Sequence, residues 1–202
     1  MNSGPGISVI VPTRNAASFI DACLDSLRVQ TYREFEVLVI DGASSDDTVE
    51  KAVSRSAGFG GSLHCVSEPD SGVYEAMNKG ISLARYPWLY FLGADDTLHD
   101  PAVLSDVAEI IAAPGADIVY GDVVELGSRK RYAGEFDLDR LLFDCNLCHQ
   151  SVFYNRSLFD RLGGYSKRYP IWADWEFNIR CFRHPGVRAR WINRLIANYR
   201  ER

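Results

Sequence analysis

Residues Trp88 to Thr97 read WLYFLGADDT, and this stretch decides how the rest of the chain is interpreted. Its first five residues are apolar or aromatic, which is typical of a short strand buried on both faces of a sheet. Asp95 and Asp96 follow closely, at the end of a strand where open α/β sheets bind their ligands. Two adjacent carboxylates repel each other, and hard oxygen ligands suit Mg2+ or Mn2+. The stretch predicts a central strand that leads into a metal site, and a solvated turn before a helix is the alternative.

The composition indicates one globular domain. The chain has 202 residues, of which 47% are hydrophobic and 24% charged, so it can bury a sizeable core. A formal net charge of -5 gives no reason to expect a nucleic acid partner. No apolar run approaches the ~18 residues that a membrane-spanning helix needs. The N-terminal residues show no signal peptide and the cysteine count is odd, so we expect reduced thiols and a cytoplasmic protein.

Strands alternate with helices through the first half of the chain. Apolar and β-branched runs predict strands at 7–11, 35–40, 63–67 and 88–92. Apolar residues at helical spacing predict helices that begin near Ser18, Asp47, Val73 and Asp100. Asp47 with Glu50 resembles a capping box, and Asp100 with Pro101 resembles an N-cap followed by a first-turn proline. Four such repeats predict a parallel, doubly wound sheet.

The second half has a less regular pattern. We expect strands at 118–126, 131–134, 150–154 and 187–192, the last as an edge strand. Helices are expected at 136–143, 157–162 and 172–182. No linker or repeat separates the two halves. We therefore predict a single domain over residues 1–202, in which 1–115 and 116–202 form the two walls of one cleft.

Polar loops follow the four predicted strands of the first half. They contain Pro12-Thr13-Arg14-Asn15, then Asp41 with Ser44, then Asp70, and finally Asp95-Asp96. Loops at the carboxyl ends of parallel strands share one edge of the sheet, so these four loops favour a nucleotide pocket over ordinary solvated turns. Neither G-x-G-x-x-G after the first strand nor a P-loop motif is present. Without a glycine-rich phosphate cradle a diphosphate would need a metal, which Asp95 and Asp96 can hold.

The residues resemble the inverting glycosyltransferases of family 2, which have the GT-A fold. The resemblance extends from Ile7 to about Arg183. The segment before the central strand resembles in particular a subgroup of the family that makes bacterial surface polysaccharides. The segments that carry it are ISVIVPTRN, FEVLVIDGASSDDT, SEPDSGVYEAMNKGI, FLGADD, HQSVFY and ADWEF. It implies an α/β fold with a mainly parallel mixed sheet and helices on both faces. Residues 1–115 would then bind the nucleotide sugar, and residues 116–202 the acceptor.

The resemblance also implies roles for individual residues. Asp174 occupies the position of the catalytic base. Trp172 and Trp175 flank it, and they could stack on a sugar face of the acceptor, with an aromatic helix stripe packed in the core as the alternative. Asp96 is the expected direct ligand of Mg2+ or Mn2+, with Asp95 and His149 as further metal contacts. Nucleotide contacts are expected from Pro12, Thr13, Asn15, Asp41, Ser44, Asp70, Asn78 and Asp95.

Two positions depart from the family pattern. Gly93 stands where many members have the first aspartate of a D-x-D motif, and Ala173 stands where many have a glutamate before the base. These departures keep a non-catalytic nucleotide-sugar-binding module open as an alternative. A sugar nucleotidyltransferase is a second alternative, since it shares the α/β pattern and the metal.

By resemblance we expect a metal-dependent inverting transferase acting in surface polysaccharide biosynthesis. The donor would be UDP-hexose or UDP-N-acetylhexosamine, and the acceptor a saccharide or lipid-linked saccharide. A carboxylate would take the proton of the acceptor hydroxyl, and the metal would stabilise the leaving diphosphate. The basic C-terminal end suggests peripheral contact with the inner face of an anionic membrane, through Arg180, Arg183, Arg188, Arg190, Arg194, Arg200 and Arg202.

Overall fold

A mixed sheet of nine strands runs through the molecule in the computed structural model, which describes residues 4–132 and 134–200. In chain order the strands are β1 (Ile7–Thr13), β2 (Phe35–Asp41), β3 (Leu63–Ser67), β4 (Trp88–Phe91), β5 (Thr97–Leu98), β6 (Ile118–Glu125), β7 (Arg131–Tyr132), β8 (Val152–Asn155) and β9 (Ala189–Tyr199). The helices are α1 (Ile20–Arg28), α2 (Thr48–Arg55), α3 (Val73–Leu83), α4 (Val103–Ala112), α5 (Leu138–Phe143), α6 (Ser157–Leu162) and α7 (Ala173–Arg183). Short 3-10 turns cover Ser56–Phe59 and His149–Ser151.

The first four strands form a parallel half-sheet in the order β3-β2-β1-β4. After β3 the chain crosses to the other side of β1 and adds β4 there. Such a reversal leaves a crevice beyond the carboxyl ends of the two strands at the switch point, which are β1 and β4 here. The register pairs Thr13 at the end of β1 with Asp41 at the end of β2, so the polar loops that follow both strands begin side by side.

Beyond β4 the sheet becomes mixed. Strand β8 is antiparallel to both β4 and β6, and β9 runs parallel to β6. The expectation of an edge strand at 187–192 is wrong, because β9 extends from Ala189 to Tyr199 and lies between β6 and β5. Strand β5 has only two residues, too short to leave a periodic pattern in the sequence, yet it covers the end of β9. The predicted pairing near 131–134 is observed at Arg131–Tyr132, and Ala133 lies outside the described residues.

Helices cover both faces of the sheet, as predicted. Neighbouring strand residues point to opposite faces, so Val9 joins one apolar layer and Ile10 the other. Helices α1, α2 and α4 complete the first layer, and α3, α5, α6 and α7 complete the second. Helix α3 lies especially close to β1, because a Cβ on Gly80 would sit 2.4 Å from Cγ2 of Ile10. None of the helices in the described ranges is long and apolar enough to cross a membrane.

The start of α2 differs from the prediction. Asp47 makes no side-chain capping bond, so the capping box expected from Asp47 and Glu50 is wrong. Asp46 accepts the hydrogen bond from the Thr48 N–H at 3.1 Å and a second one from the Ala17 N–H at 3.1 Å. The contact with Ala17 in the loop after β1 therefore selects Asp46 as the residue that bonds the start of α2, and Asp47 makes no capping bond. At the start of α4, Asp100 accepts from the N–H of Ala102 at 2.8 Å, and the regular helix begins at Val103.

Candidate active site

A cavity of about 390 Å³ lies at the switch point, beyond the ends of β1 and β4. The end of β1 contributes Thr13, and the loop after β4 contributes Asp95 and Asp96. Asp70 and the start of α3 form a third side, and His149, Gln150 and Arg200 from the second half of the chain close the cavity. The structure thus brings the predicted residues Pro12, Thr13, Asp70, Asp95, Asp96 and His149 to one site.

Asp96 is the most tightly held carboxylate of this cavity. It is only 2% exposed, and the Gln150 side-chain amide donates to its Oδ2 at 2.6 Å. The backbone N–H of Arg200 donates to its Oδ1 at 2.9 Å. Burial raises the pKa of the Asp96 carboxyl above its usual value, the hydrogen bonds from Gln150 and Arg200 oppose that rise, and the charge of Asp95 adds to it. A cation beside these two carboxylates would offset both the burial and their mutual repulsion.

The side chain of Gln150 is fixed in the orientation in which its amide nitrogen donates to Asp96. Its Oε1 accepts a hydrogen bond from the Cys148 thiol at 2.8 Å, which leaves the amide nitrogen facing Asp96. Burial raises the pKa of the Cys148 thiol to about 12, so the thiol keeps its proton at neutral pH and remains a donor. Sequence reasoning missed the role of Gln150, although the HQSVFY segment contains it.

Gly93 has a steric role in the loop after β4. A Cβ at Gly93 would lie 2.4 Å from Oδ2 of Asp96 and 3.1 Å from Oδ1 of Asp95. Real Cβ atoms do not approach other atoms that closely, so any side chain at position 93 would displace the Asp96 carboxylate. The loop can hold Asp96 against its own backbone only because residue 93 is glycine.

The two aspartates fit a divalent cation that is shared with a diphosphate. Among residues 4–132 and 134–200, no group of three or more His, Cys, Asp or Glu side chains is arranged to hold a metal ion by itself. Mg2+ is nevertheless commonly held by one or two carboxylates together with the phosphates of a substrate. Asp95 and Asp96 supply such a pair in the cavity wall, with His149 in the same wall.

Polar side chains lie on the side of the cavity near β1 and β2. The Thr13 hydroxyl is buried and has no hydrogen bond partner in the described part of the chain. An unpaired buried hydroxyl is costly, so a ligand atom is its expected partner. Asp41 lies beside it in register and accepts a hydrogen bond from the Ser67 hydroxyl at 2.6 Å. A Cβ on Gly42 would lie 2.7 Å from Oδ2 of Asp70, so this glycine lets Asp70 approach the end of β2.

Asn15 and Ser44 shape the loops beside the cavity. The N–H of Asn15 donates to the Ser44 hydroxyl at 2.7 Å, and its side-chain oxygen accepts from the Ser45 N–H at 2.9 Å. Asn15 has a left-handed backbone with φ of 49°, an unusual conformation that these bonds stabilise. The Ser44 N–H in turn donates to Asp41 at 2.9 Å. These contacts join the loops after β1 and β2 into one unit.

Asn78 lies away from this cavity, on the wall of a second one. Its amide nitrogen donates to the Tyr165 carbonyl at 2.9 Å, and its oxygen accepts from the Tyr165 N–H at 2.9 Å. Both ends of the amide are thus used to hold the loop after α6 against α3.

Asp174, the expected base, lies in the first turn of α7 and is 8% exposed. The Tyr74 hydroxyl donates to its Oδ1 at 2.6 Å, and the Asn146 amide donates to its Oδ2 at 2.8 Å. Tyr74 directly follows Val73, which lines the cavity, whereas Asp174 does not line it and is joined to that wall through its bond with Tyr74. Ala173 is fully buried in the apolar layer that contains α7, where a glutamate side chain would place a carboxylate in the core.

The two tryptophans beside Asp174 have different environments. Trp172 is 66% exposed and has a left-handed backbone with φ of 70°. The Trp175 ring meets it edge-on, with ring centroids 6.4 Å apart. The Trp175 indole N–H donates to the Leu141 carbonyl at 2.7 Å, which ties this residue to α5. Trp172 therefore presents the open aromatic surface near Asp174.

Two arginines place positive charge at the cavity. Arg14 lines it from the loop after β1, and Arg200 lines it from the end of β9. The Arg200 guanidinium lies 5.1 Å from the ring centroid of Phe19, a cation–π contact that helps to orient it. From the sequence, Arg200 belongs to the basic C-terminal end and has no predicted role in the site, because no local signal links it to Asp96.

The other arginines of the basic C-terminal end lie in different environments. Arg180 pairs with Glu176, Arg188 with Asp117, and Arg194 with Asp100 and Asp106. Arg183 and Arg190 are exposed, and Arg202 lies outside the described residues. The expected contact with a membrane stays a prediction.

Comparison with known proteins identifies the family. The model of the family "Glycosyl transferase family 2" matches residues 8–163. The chain is 45% identical over 200 residues to a PGL/p-HBAD biosynthesis glycosyltransferase of Mycobacterium bovis (strain BCG / Pasteur 1173P2), covering 98% of this chain and 78% of that protein. It is 34% identical over 187 residues to an uncharacterized glycosyltransferase of Mycobacterium tuberculosis (strain ATCC 25618 / H37Rv), covering 90% of this chain and 70% of that protein.

Solved structures share the fold. S. aureus TarS 1–349 in complex with UDP-GlcNAc matches with a TM-score of 0.83 and 20% identity, over 98% of this chain and 59% of that one. The mannosyltransferase PcManGT from Pyrobaculum calidifontis, in complex with GDP-Man and Mn2+, matches with a TM-score of 0.75 and 21% identity, over 98% of this chain and 57% of that one. This chain thus spans less than two thirds of the length of either solved chain. Together with the family match over residues 8–163, these findings show that the chain belongs to glycosyl transferase family 2.

Proposed function

We propose that this chain transfers a sugar from a nucleoside diphosphate sugar to a saccharide or lipid-linked saccharide acceptor in surface polysaccharide or related biosynthesis. The observation that carries the proposal is the cavity at the switch point, where the Asp95-Asp96 pair, the cations Arg14 and Arg200, and the unpaired hydroxyl of Thr13 meet. A diphosphate carries negative charge, which arginines stabilise directly. The nucleoside would lie toward Thr13, Asp41 and Asp70.

UDP is the proposed nucleotide, with a hexose or N-acetylhexosamine as the sugar. The TarS complex with UDP-GlcNAc supports this choice, since that protein has the same fold. PcManGT shares the fold too and was solved with GDP-Man, so the nucleotide is the part of the proposal that most needs a direct test.

The chain would use Mg2+ or Mn2+, held by Asp96 and Asp95 together with the diphosphate, with His149 as a further contact. When bound, the cation would act as a Lewis acid that stabilises the charge on the departing nucleoside diphosphate. Arg200 and Arg14 would offset the remaining charge. PcManGT was solved in complex with GDP-Man and Mn2+, which supports a divalent cation for a protein of this fold.

Asp174 is the proposed general base. Its carboxylate would take the proton of the acceptor hydroxyl as that oxygen attacks the anomeric carbon, and the bond to the diphosphate would break on the opposite side, which inverts the anomeric centre. Trp172, exposed next to Asp174, would stack on the acceptor, whereas Trp175 is tied to the carbonyl of Leu141 and would support it.

The direct test is a panel of UDP-, GDP- and dTDP-sugars with methyl hexosides as acceptors, read as nucleoside diphosphate release with and without Mn2+. We expect Mn2+-dependent release of UDP and a product of inverted anomeric configuration by NMR. UDP binding without release from any donor would favour the non-catalytic module. Release of pyrophosphate from a nucleoside triphosphate and a sugar phosphate would favour the nucleotidyltransferase.

A further inference from the structure

Asp174 stands at the end of a chain of hydrogen bonds that begins in the core. The Tyr154 hydroxyl donates to Oδ1 of Asn178 at 2.7 Å, and the Asn178 amide nitrogen donates to Oδ1 of Asn146 at 2.9 Å. The Asn146 amide nitrogen then donates to Oδ2 of Asp174 at 2.8 Å. In each of these three hydrogen bonds the donor lies on the Tyr154 side and the acceptor on the Asp174 side.

This order of donors and acceptors fixes the orientation of the Asn178 and Asn146 side-chain amides. Asn146 accepts from Asn178 through its oxygen, so its nitrogen must face Asp174, and a flipped amide would set an oxygen against the carboxylate. Tyr154 and Asn178 are fully buried, so the start of the chain cannot exchange its bonds for water. Burial also raises the pKa of the Tyr154 phenol well above its usual value, which keeps its O–H as the first donor.

Tyr74 holds the other oxygen of Asp174 from the opposite half of the molecule. Its hydroxyl donates to Oδ1 at 2.6 Å across 100 residues of sequence. Burial, and then the charge of Asp174, raise the pKa of the Tyr74 phenol, so it also remains a donor. Tyr74 lies in the first turn of α3, directly after Gly72 and Val73 of the cavity wall.

We propose that Tyr74 and Asn146 are positioning residues that hold the Asp174 carboxylate in one orientation beside the donor cavity, Tyr74 from the nucleotide-binding half and Asn146 from the acceptor-binding half. The proposal rests on the proposed role of Asp174 as the base. The terminal torsion of an aspartate is broad, so packing alone would not fix its oxygens. A base must lie within hydrogen-bond reach of the proton that it removes, and an error of about 1 Å can cost a factor of about 10² in rate.

The test compares Asn146→Ala and Tyr74→Phe, each alone and combined with Asp174→Asn, using Asn193→Ala as the matched control. Asn193 is an exposed amide on β9 that bonds to Arg131 and is separate from this network. We expect each single variant to lower kcat about 10-fold with the donor KM unchanged, and the control to keep the wild-type kcat. Each double variant should have the kcat of Asp174→Asn alone, because residues that act through one base are not additive.

The outcomes separate this inference from the proposed function. A wild-type kcat for Asn146→Ala and Tyr74→Phe, with Asp174→Asn impaired, overturns the positioning role and leaves the base in place. Full additivity in the double variants indicates a general structural defect and also overturns it. A wild-type rate for Asp174→Asn overturns the base itself and the inference with it.

A crystal structure of the Asn146→Ala variant tests the positioning without any turnover. The Asp174 carboxylate is expected to rotate away from the Tyr74 hydroxyl or to occupy more than one orientation. A carboxylate that keeps its position and its bond to Tyr74 contradicts the role of Asn146, even if no donor sugar has been identified.

Discussion

The backbone N–H of Arg200 donates to Oδ1 of Asp96 at 2.9 Å and thereby ties the end of β9 to the loop after β4. The contact is made by the main chain, so the guanidinium of Arg200 remains available to the cavity that it lines. One residue thus supplies a fixed donor to a carboxylate and a positive charge to the same site. The two functions can be separated by substitution, because a side-chain change leaves the N–H in place.

Asp96→Asn tests the proposed cation site. The amide keeps the shape of the side chain but loses its charge, so the affinity for UDP in the presence of Mn2+ should fall by about 10-fold or more. Isothermal titration calorimetry measures this directly. With a chelator present, the variant should bind UDP at least as tightly as the wild type, because no cation then offsets the charge of Asp96. An affinity that neither the substitution nor the chelator changes would argue against a metal bound at Asp96.

Gly93→Ala should weaken the same site without removing any charge. The added Cβ would lie 2.4 Å from Oδ2 of Asp96 and force that carboxylate out of its bond with Gln150. Overpacking of this kind typically costs about 1–3 kcal/mol, so we expect a fall in Mn2+-dependent UDP affinity together with a lower melting temperature. Gly186→Ala serves as a control for the stability change, since a Cβ at this exposed position would lie 3.4 Å from Cε1 of His184, an ordinary contact distance. Unchanged UDP affinity in Gly93→Ala would show that the Asp96 position is not needed for binding.

Arg200→Gln should lower the affinity for UDP and leave the affinity for uridine unchanged. The variant keeps the backbone bond to Asp96 and loses the charge that is proposed to contact the diphosphate. Hydrogen bonds to charged groups contribute roughly 1.5–3 kcal/mol, so the expected loss is about 10-fold or more. Arg190→Gln is the matched control, because Arg190 is an exposed arginine on β9, the strand that ends just before Arg200. Equal losses for UDP and uridine would place Arg200 away from the diphosphate.

Asp174→Asn should remove the proposed general base. The change preserves shape and removes basicity, so kcat should fall by about 10²-fold or more while the donor affinity stays nearly unchanged. Glu176→Gln is the matched control two residues along α7. The Glu176 carboxylate bonds to the Arg180 guanidinium at 2.7 Å, so its loss should affect turnover far less. A product that retains the anomeric configuration of the donor would contradict single displacement by Asp174.

Gly80→Ala tests how α3 is packed against the sheet. A Cβ there would lie 2.4 Å from Cγ2 of Ile10 in β1, in a part of the core that offers no space. The free energy of unfolding should fall by about 1–3 kcal/mol, measured by urea denaturation. Ser82→Ala, at an exposed position of the same helix, should change it by less than about 0.5 kcal/mol. Equal stabilities of the two variants would mean that α3 can shift away from β1 at little cost.

Local pattern in the sequence was enough for much of this fold. The four parallel strands, the helices between them and the polar loops at their ends follow from hydrophobic periodicity and turn residues, which are properties of neighbouring residues. Asp95 and Asp96 could be placed in the site for the same reason, since a buried strand leads directly into them. The error at Asp47 was also local, because two adjacent aspartates compete for one cap and contact with Ala17 selects Asp46.

By itself the sequence determined the fold class, the edge of the sheet where a ligand is expected and, through a family resemblance, the identity of the expected base. Only the tertiary structure decided that β9 lies inside the sheet, that Gln150 and Arg200 hold Asp96, and that Tyr74 and Asn146 hold Asp174. The physical reason is the separation of these partners along the chain. Arg200 and Asp96 are 104 residues apart and Tyr74 and Asp174 are 100 apart, so no periodicity links them, and they meet only because the fold brings the two halves of the chain together.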